Sequence, residues 1–182
     1  MSNKVNKKMF DNPILKCIAE RRSIRRYTDE AISNEQLELI LEAGRLTPSG
    51  LNNQPWRFLV LHKGDKRLEA LAALSKYGHI IKDAKANIAI FLEKDACYNT
   101  IKDHQVAGAA MQNMLLAIHS LGLGGVWLGE IINYGDEPVK AMGVNPEPYE
   151  FMGLIALGYP DQKGSLERKP LEHFMLEDFR KK

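Results

Sequence analysis

Four arginines and a serine stand within six residues at Arg21-Arg22-Ser23-Ile24-Arg25-Arg26. A guanidinium is a planar fork of donors that matches a phosphate bidentately, and it stays charged at any working pH. The serine hydroxyl adds a donor for a phosphate oxygen or for the polar edge of a ring. In extended backbone alternate side chains share a face. Arg21, Ser23 and Arg25 are therefore expected on one ligand-facing side, with Arg22 and Arg26 on the other. A basic run this short also fits a solvated turn or a nucleic-acid patch, so the rest of the chain has to decide. A second candidate is Thr47 to Pro55, dense in small amide and hydroxyl side chains. Loops on rigid scaffolds commonly carry function, although the same composition also makes plain turns.

The elements that must position these residues read as follows. Asn12-Pro13 opens a helix with proline at its first position, and Ile14, Leu15 and Ile18 form one apolar face that runs out at the arginines. Ser33 to Gln36 has the form of a capping box. Leu37, Ile40, Leu41 and Gly44 follow at helical spacing. Strands are expected around Arg57–His62 and Asn87–Leu92, the latter apolar on both faces and so interior. Asp65 caps a helix carrying Leu68, Leu71 and Ala72, and Gly78 to Ala86 is ambiguous. Thr100 to Leu121 reads as the longest helix, with Met111 and Met114 as core filler. Its Ala107-Gly108-Ala109-Ala110 stretch has little bulk, which suits close packing at the centre or at a subunit interface. Val126–Leu128 and Phe151–Leu157 are further strands, and Asp136 opens a short helix. Few strands among long helices suggest an α+β or α/β sandwich around one sheet.

A chain of 182 residues, 45% hydrophobic and 26% charged, is long enough for one domain with a substantial core. The net charge of +2 sets up no global field that demands nucleic acid or a membrane, and neither partner is expected. The cysteines, Cys17 and Cys97, are far apart, which suits neither a disulfide framework nor a zinc site. A reduced, cytoplasmic setting is expected. No apolar run approaches the roughly 20 residues needed to span a bilayer. Residues 1–9 are expected to form a loose arm. Gly122-Leu123-Gly124-Gly125 fails as a dinucleotide fingerprint, because the sixth position is Trp127 and the glycines follow a helix. With no P-loop, no nucleophile elbow and no metal-ligand spacing, an enzyme of this sequence would need a bound organic cofactor to carry its chemistry.

Three segments together resemble the FMN-dependent nitroreductase family. They are Arg21 to Arg25; Pro48-Ser49-Gly50-Leu51-Asn52-Asn53-Gln54-Pro55-Trp56, the most specific; and Ala109 to Gly129 with Asn113 and Trp127-Leu128-Gly129. The strand from Gly153 to Tyr159 and the tail Arg168-Lys169-Pro170-Leu171-Glu172 also fit, so the resemblance spans about Pro13 to Phe174. It implies an α+β, three-layer sandwich with a central, mainly antiparallel sheet. It also implies a single FMN-binding domain over 1–182, and a homodimer with FMN at the interface. Arg21, Arg22, Ser23 and Arg25 of one subunit would hold the phosphate and the polar flavin edge, and Arg168 with Lys169 would return to the same phosphate. Pro48, Ser49, Gly50, Asn52 and Gln54 would come largely from the other subunit, and Trp127, Leu128 and Gly129 would set backbone groups near the reactive ring edge.

The implied activity is ping-pong transfer of hydride from NAD(P)H through FMN to a nitroaromatic or quinone. A cation such as Arg25 near the pyrimidine side would favour the reduced flavin. The segment Glu93 to Ile101 is short, which predicts an open acceptor pocket with Tyr98 at its wall. Dehalogenation, flavin breakdown, azole-ring oxidation and flavin binding without turnover remain alternatives on the sequence.

Overall fold

The computed structural model describes residues 8–165 and 167–178. Of the arm expected over 1–9, residues 1–7 lie outside the described residues, and residues 8–11 are helical. Helix α1 (Pro13–Glu20) starts where expected, with Asn12 Oδ1 accepting from the N–H groups of Ile14 (3.0 Å) and Leu15 (3.1 Å). Its apolar face is little covered by the described residues: Ile14 is 69% exposed and no residue of α1 is buried. Helix α2 (Asn34–Arg45) has both arms of the capping box between Ser33 and Gln36.

Four strands form one sheet: β1 (Trp56–His62), β2 (Ala86–Glu93), β3 (Gly124–Leu128) and β4 (Tyr149–Gly158). Their order is β1-β2-β4-β3, and every pairing is antiparallel. Successive side chains of a strand face opposite sides of the sheet, and here each side meets its own helical layer. Ile88, Ile90 and Leu92 of β2 pack with Leu37 and Ile40 of α2 and with the long helix α5 (Thr100–Ser120). Ala89 and Phe91 point the other way, into a core with α3 (Arg67–Ala73), α4 (Gly78–Asp83) and α6 (Glu137–Ala141). Burial on both faces explains the unbroken apolar run of β2. Its buried polar member, Asn87, donates from Nδ2 to the Ile81 carbonyl at 2.9 Å, tying the strand to α4.

The three layers are the α+β sandwich expected. The long helix ends one residue early, at Ser120, and Met111 and Met114 are fully buried filler. The ambiguous stretch after Gly78 is α4, a helix of six residues. Among the described residues no helix is long and apolar enough to cross a membrane.

Candidate cofactor site

Directly after α1 the arginine stretch runs extended along the end of β3. Ser23 bridges to Gly125, and the Ile24 N–H donates to the Gly125 carbonyl at 3.1 Å. The buried Ile24 side chain lies on Gly124, where an added Cβ would sit 2.7 Å from Ile24 Cβ, so the approach needs a residue without one. Tyr27 closes the stretch from below, its hydroxyl 2.8 Å from the Ile24 carbonyl and 3.0 Å from that of Ala156. Burial pushes the Tyr27 phenol far up, so it stays neutral. Two apolar anchors thus hold the backbone while the charged side chains project from it.

Arg22 and Ile24 share one side, both packed against Gly164. Arg22 Nη1 also donates to the carbonyls of Ala19 (2.7 Å) and Arg21 (2.8 Å), satisfying acceptors at the end of α1. Arg25 and Arg26 are exposed, and Arg26 Nε reaches Gln162 Oε1 at 3.3 Å. Arg21 is half-buried, and its guanidinium is pulled below its ordinary range by burial first, then by the like charges of Arg168 and Arg22. The tail arginine has therefore come back to the arginine stretch. Among the described residues no ion pair joins Arg21, Arg22 or Arg168 to a carboxylate. A cavity of about 420 Å³ opens beside Arg21 and Arg22, with Lys163 and His119 on its wall and Glu20 as its only acid. His119 is half-buried there. Lys169 is exposed, its Nζ 3.0 Å from His173 Nε2.

The amide loop is built differently. Leu51 (φ 54°), Asn52 (φ 55°) and Gln54 (φ 48°) are all left-handed without being glycine. Such residues cost about 1–3 kcal/mol each and persist only where the surroundings over-determine them. The determinants are visible. Ser49 Oγ accepts from the Gln54 N–H at 3.1 Å, and Gln54 Nε2 donates to the Asn52 carbonyl at 3.1 Å. Thr47 Oγ1 accepts from Asn113 Nδ2 of α5 at 2.9 Å. Asn53 Nδ2 donates to the Ala96 carbonyl (2.8 Å) and to Asp103 Oδ1 (3.0 Å). Asp103 is buried in the first turn of α5, and its Oδ2 accepts from the N–H groups of Tyr98 (3.0 Å) and Asn99 (2.8 Å). Burial alone would raise its carboxyl, but the hydrogen bonds from Asn99, Asn53 and Tyr98 outweigh it and hold the group below its usual range. Pro48, Asn52 and Gln54 are exposed, Ser49 and Gly50 half-buried, and a Cβ on Gly50 would overlap the Tyr98 hydroxyl.

Between these two clusters lies Trp127. Its indole rests beside Gly108, Gly129 and Gly153, and it remains 41% exposed. Gly153 has φ 139° at an irregularity in the β2–β4 register and leaves the space the indole nitrogen needs. The Leu128 side chain belongs to the core, so only its backbone is free to meet a ligand. The small residues of α5 thus include one, Gly108, that faces an aromatic ring of its own chain.

The arginine cavity meets the C-terminal part of α5, whereas the loop is tied to the helix from Asp103 as far as Asn113. Asn53 touches Asp103 in the first turn, whereas the arginine cavity is lined by Leu115 and Ile118 near the last. Asp103 and Ile118 are 15 residues apart in one helix, roughly 22 Å at 1.5 Å per residue. Sequence reasoning did not find Asn53 and Asp103 as partners: they are 50 positions apart, and a lone Asp at a helix start reads as an ordinary dipole charge.

The comparisons with known proteins agree with this architecture. The profile of the Nitroreductase family matches residues 18–89 and 73–159. An Archaeoglobus fulgidus protein provisionally named NADH dehydrogenase/NAD(P)H nitroreductase is 38% identical over 159 residues, 84% of this chain and 89% of that protein. A provisionally named nitroreductase from Desulfovibrio desulfuricans, crystallised in complex with FMN, superposes with a TM-score of 0.90 at 56% identity, over 92% of this chain and 97% of that one. The NADPH:FMN oxidoreductase of Vibrio harveyi, complexed with NAD+, gives a TM-score of 0.81 at 26% identity, over 92% and 77% of the two chains.

Proposed function

The chain belongs to the nitroreductase family, and from that premise we propose an FMN-dependent oxidoreductase that carries reducing equivalents from NAD(P)H to an electron-poor aromatic such as a nitroaromatic or quinone. The observation that carries the reading is the gathering of Arg21, Arg22 and Arg168: the Arg21 guanidinium is lowered first by burial and then by the two like charges, and none of the three pairs with a carboxylate among the described residues. Like charges held together ask for an anion, and a flavin phosphate of about −2 charge supplies one. The donor set fits it: Arg21 and Arg168 would hold the phosphate, with Arg22, Ser23 and Lys169 beside them and Arg25 toward the pyrimidine edge. Pro48, Ser49, Gly50, Asn52 and Gln54 would meet the ring and ribityl chain, and Trp127, Leu128 and Gly129 would offer backbone groups to the ring edge. The chemistry supplied by bound FMN is two-electron transfer between nicotinamide and acceptor. The chain's own residues bind, orient and shield, and the two substrates use one open face in turn, which gives ping-pong kinetics.

A homodimer is part of the proposal. The Asn53 part of the amide loop lies roughly 22 Å along α5 from the arginine cavity, and in the proposed dimer each site draws its arginines from one protomer and its loop from the other. The uncovered apolar face of α1 and the exposed Leu171, Phe174 and Leu176 of the tail supply the surface such a partner would bury. We take 1–182 as one FMN-binding domain, working in the cytoplasm, where Cys17 and Cys97 stay reduced.

The test is the visible spectrum of the desalted protein, before and after anaerobic NADH or NADPH, with sedimentation on the same sample. A flavin spectrum that bleaches, on a dimer, supports the proposal. A flavin that neither donor bleaches makes the chain a binder without turnover. A colourless protein that takes up no FMN overturns the reading.

A further inference from the structure

Asn53 and Asp103 tie together two segments, the amide loop and the 94–99 connection ahead of α5. Asp103 receives the backbone N–H groups of Tyr98 and Asn99 on one oxygen and the Asn53 amide on the other. Asn53 in turn holds the Ala96 carbonyl. The Asn53 Oδ1 atom is buried and has no partner. An unsatisfied amide oxygen is costly, so the side chain is oriented by what its nitrogen does. The product of this arrangement is the placement of Tyr98. Its backbone is fixed from beneath, its ring lies on Gly50, Lys102 Nζ stands 5.3 Å from the ring centroid, and 43% of the residue faces solvent. Tyr98 is thus a wall over the one residue of the loop that has no side chain.

We propose that Tyr98 is a specificity-determining residue for the electron acceptor, and that Asp103, through Asn53, is the positioning residue that holds it there. The inference rests on the functional reading above. A phenol ring seated on Gly50 favours a flat aromatic acceptor that can pack against its exposed part and accept a hydrogen bond from the hydroxyl, as a quinone carbonyl or a nitro group can. An acceptor that needs no seat, such as ferricyanide, should be indifferent to it. The buried carboxylate does not touch the acceptor, and its effect has to pass through Tyr98.

The experiment is steady-state turnover of the FMN-loaded full chain with NADH, using 1,4-naphthoquinone and ferricyanide as acceptors. The variants are Tyr98→Ala, Asp103→Asn, their combination, and Asn53→Ala, which loosens the same link should Asp103→Asn fail to fold. Tyr98→Ala should raise KM for naphthoquinone about tenfold and shift the ferricyanide KM by less than about twofold. Asp103→Asn and Asn53→Ala should move the naphthoquinone KM in the same direction by a smaller factor. The double variant should be no worse than Tyr98→Ala alone, because a residue that acts through another adds nothing once the other is gone. Additive losses, or a fall in kcat for both acceptors alike, would show a merely structural carboxylate and overturn the positioning role. A flavin-loaded Tyr98→Ala chain with unchanged naphthoquinone KM overturns the inference and leaves the functional reading intact. A wild-type chain that takes up no FMN removes both.

Discussion

The arginine stretch and the amide loop, the two halves of the proposed site, are built by opposite means. At the arginine end the backbone is ordinary extended chain, pinned by Ile24 on Gly124 and by the Tyr27 hydroxyl, and the ligand-facing chemistry is carried by long charged side chains. At the amide end the side chains are short and the backbone carries the shape, with three left-handed residues stabilised by Ser49, Asn53 and a buried carboxylate. The first surface supplies attraction and adapts to its ligand through rotamers. The second is preorganised and supplies shape, having met its conformational cost on folding. A site assembled from both gains affinity at one end and discrimination at the other, and substitutions at the two ends should fail in different ways.

The largest effect is expected from Arg21→Ala. Losing a charge-assisted partner of a phosphate is worth about 1.5–3 kcal/mol, so FMN should bind roughly 10- to 100-fold more weakly. Titration by flavin fluorescence would read this, and an unchanged Kd would break the contrast at its charged end. Gly124→Ala should cost about 1–3 kcal/mol by forcing Ile24 off its seat. Thermal melting should show a fall of a few degrees, accompanied by weaker FMN retention because the arginine backbone shifts with Ile24. A melt that falls with retention untouched would show that the stretch is not positioned through Ile24.

Asp103→Asn should cost about 1–2 kcal/mol near neutrality. Folded Asp103 titrates below its ordinary value of 3.8, so the unfolded chain takes up this proton first. Its stabilisation is complete above that value and is lost as pH falls through the folded pKa. The gap between wild type and Asp103→Asn in urea melts should therefore narrow on the acid side, and a gap constant down to pH 3 would refute the assignment. The smallest effect is expected from Leu51→Gly. Leu51 is 85% exposed and left-handed, so glycine relieves strain at the price of backbone entropy, and stability should change by less than about 1 kcal/mol. A large loss would mean that the Leu51 side chain itself is needed, against the view that this loop works through its backbone.

Much of the fold could be read from local rules, because those rules act within a few residues. Asn12-Pro13 and Ser33 to Gln36 start helices by satisfying backbone groups that lie two or three positions away. Strand β2 announced its burial by having no polar face. What escaped was set by distant partners. The six residues of α4 are too few for a helical period to register. The face of α1 carries the pattern of a core-facing helix yet is exposed within the chain, since periodicity tells that a face wants burial and not by what. The arginines were conspicuous as a cluster of one residue type. Asn53 and Asp103 were not, because each is unremarkable alone and their meaning lies in a contact across 50 positions.

The order of the sheet also has a consequence for synthesis of the chain. Strand β2 ends at Glu93 and its neighbour β4 begins at Tyr149. Between them 55 residues intervene, which a ribosome adding about 5–20 residues per second supplies in roughly 3–11 s. Throughout that interval the nascent polypeptide holds its most apolar strand with one flank paired to β1 and the other open. That flank is a long, mostly apolar template for stray pairing, so the hazard of aggregation falls on the growing chain before the finished one, and a chaperone's opportunity lies in the same few seconds.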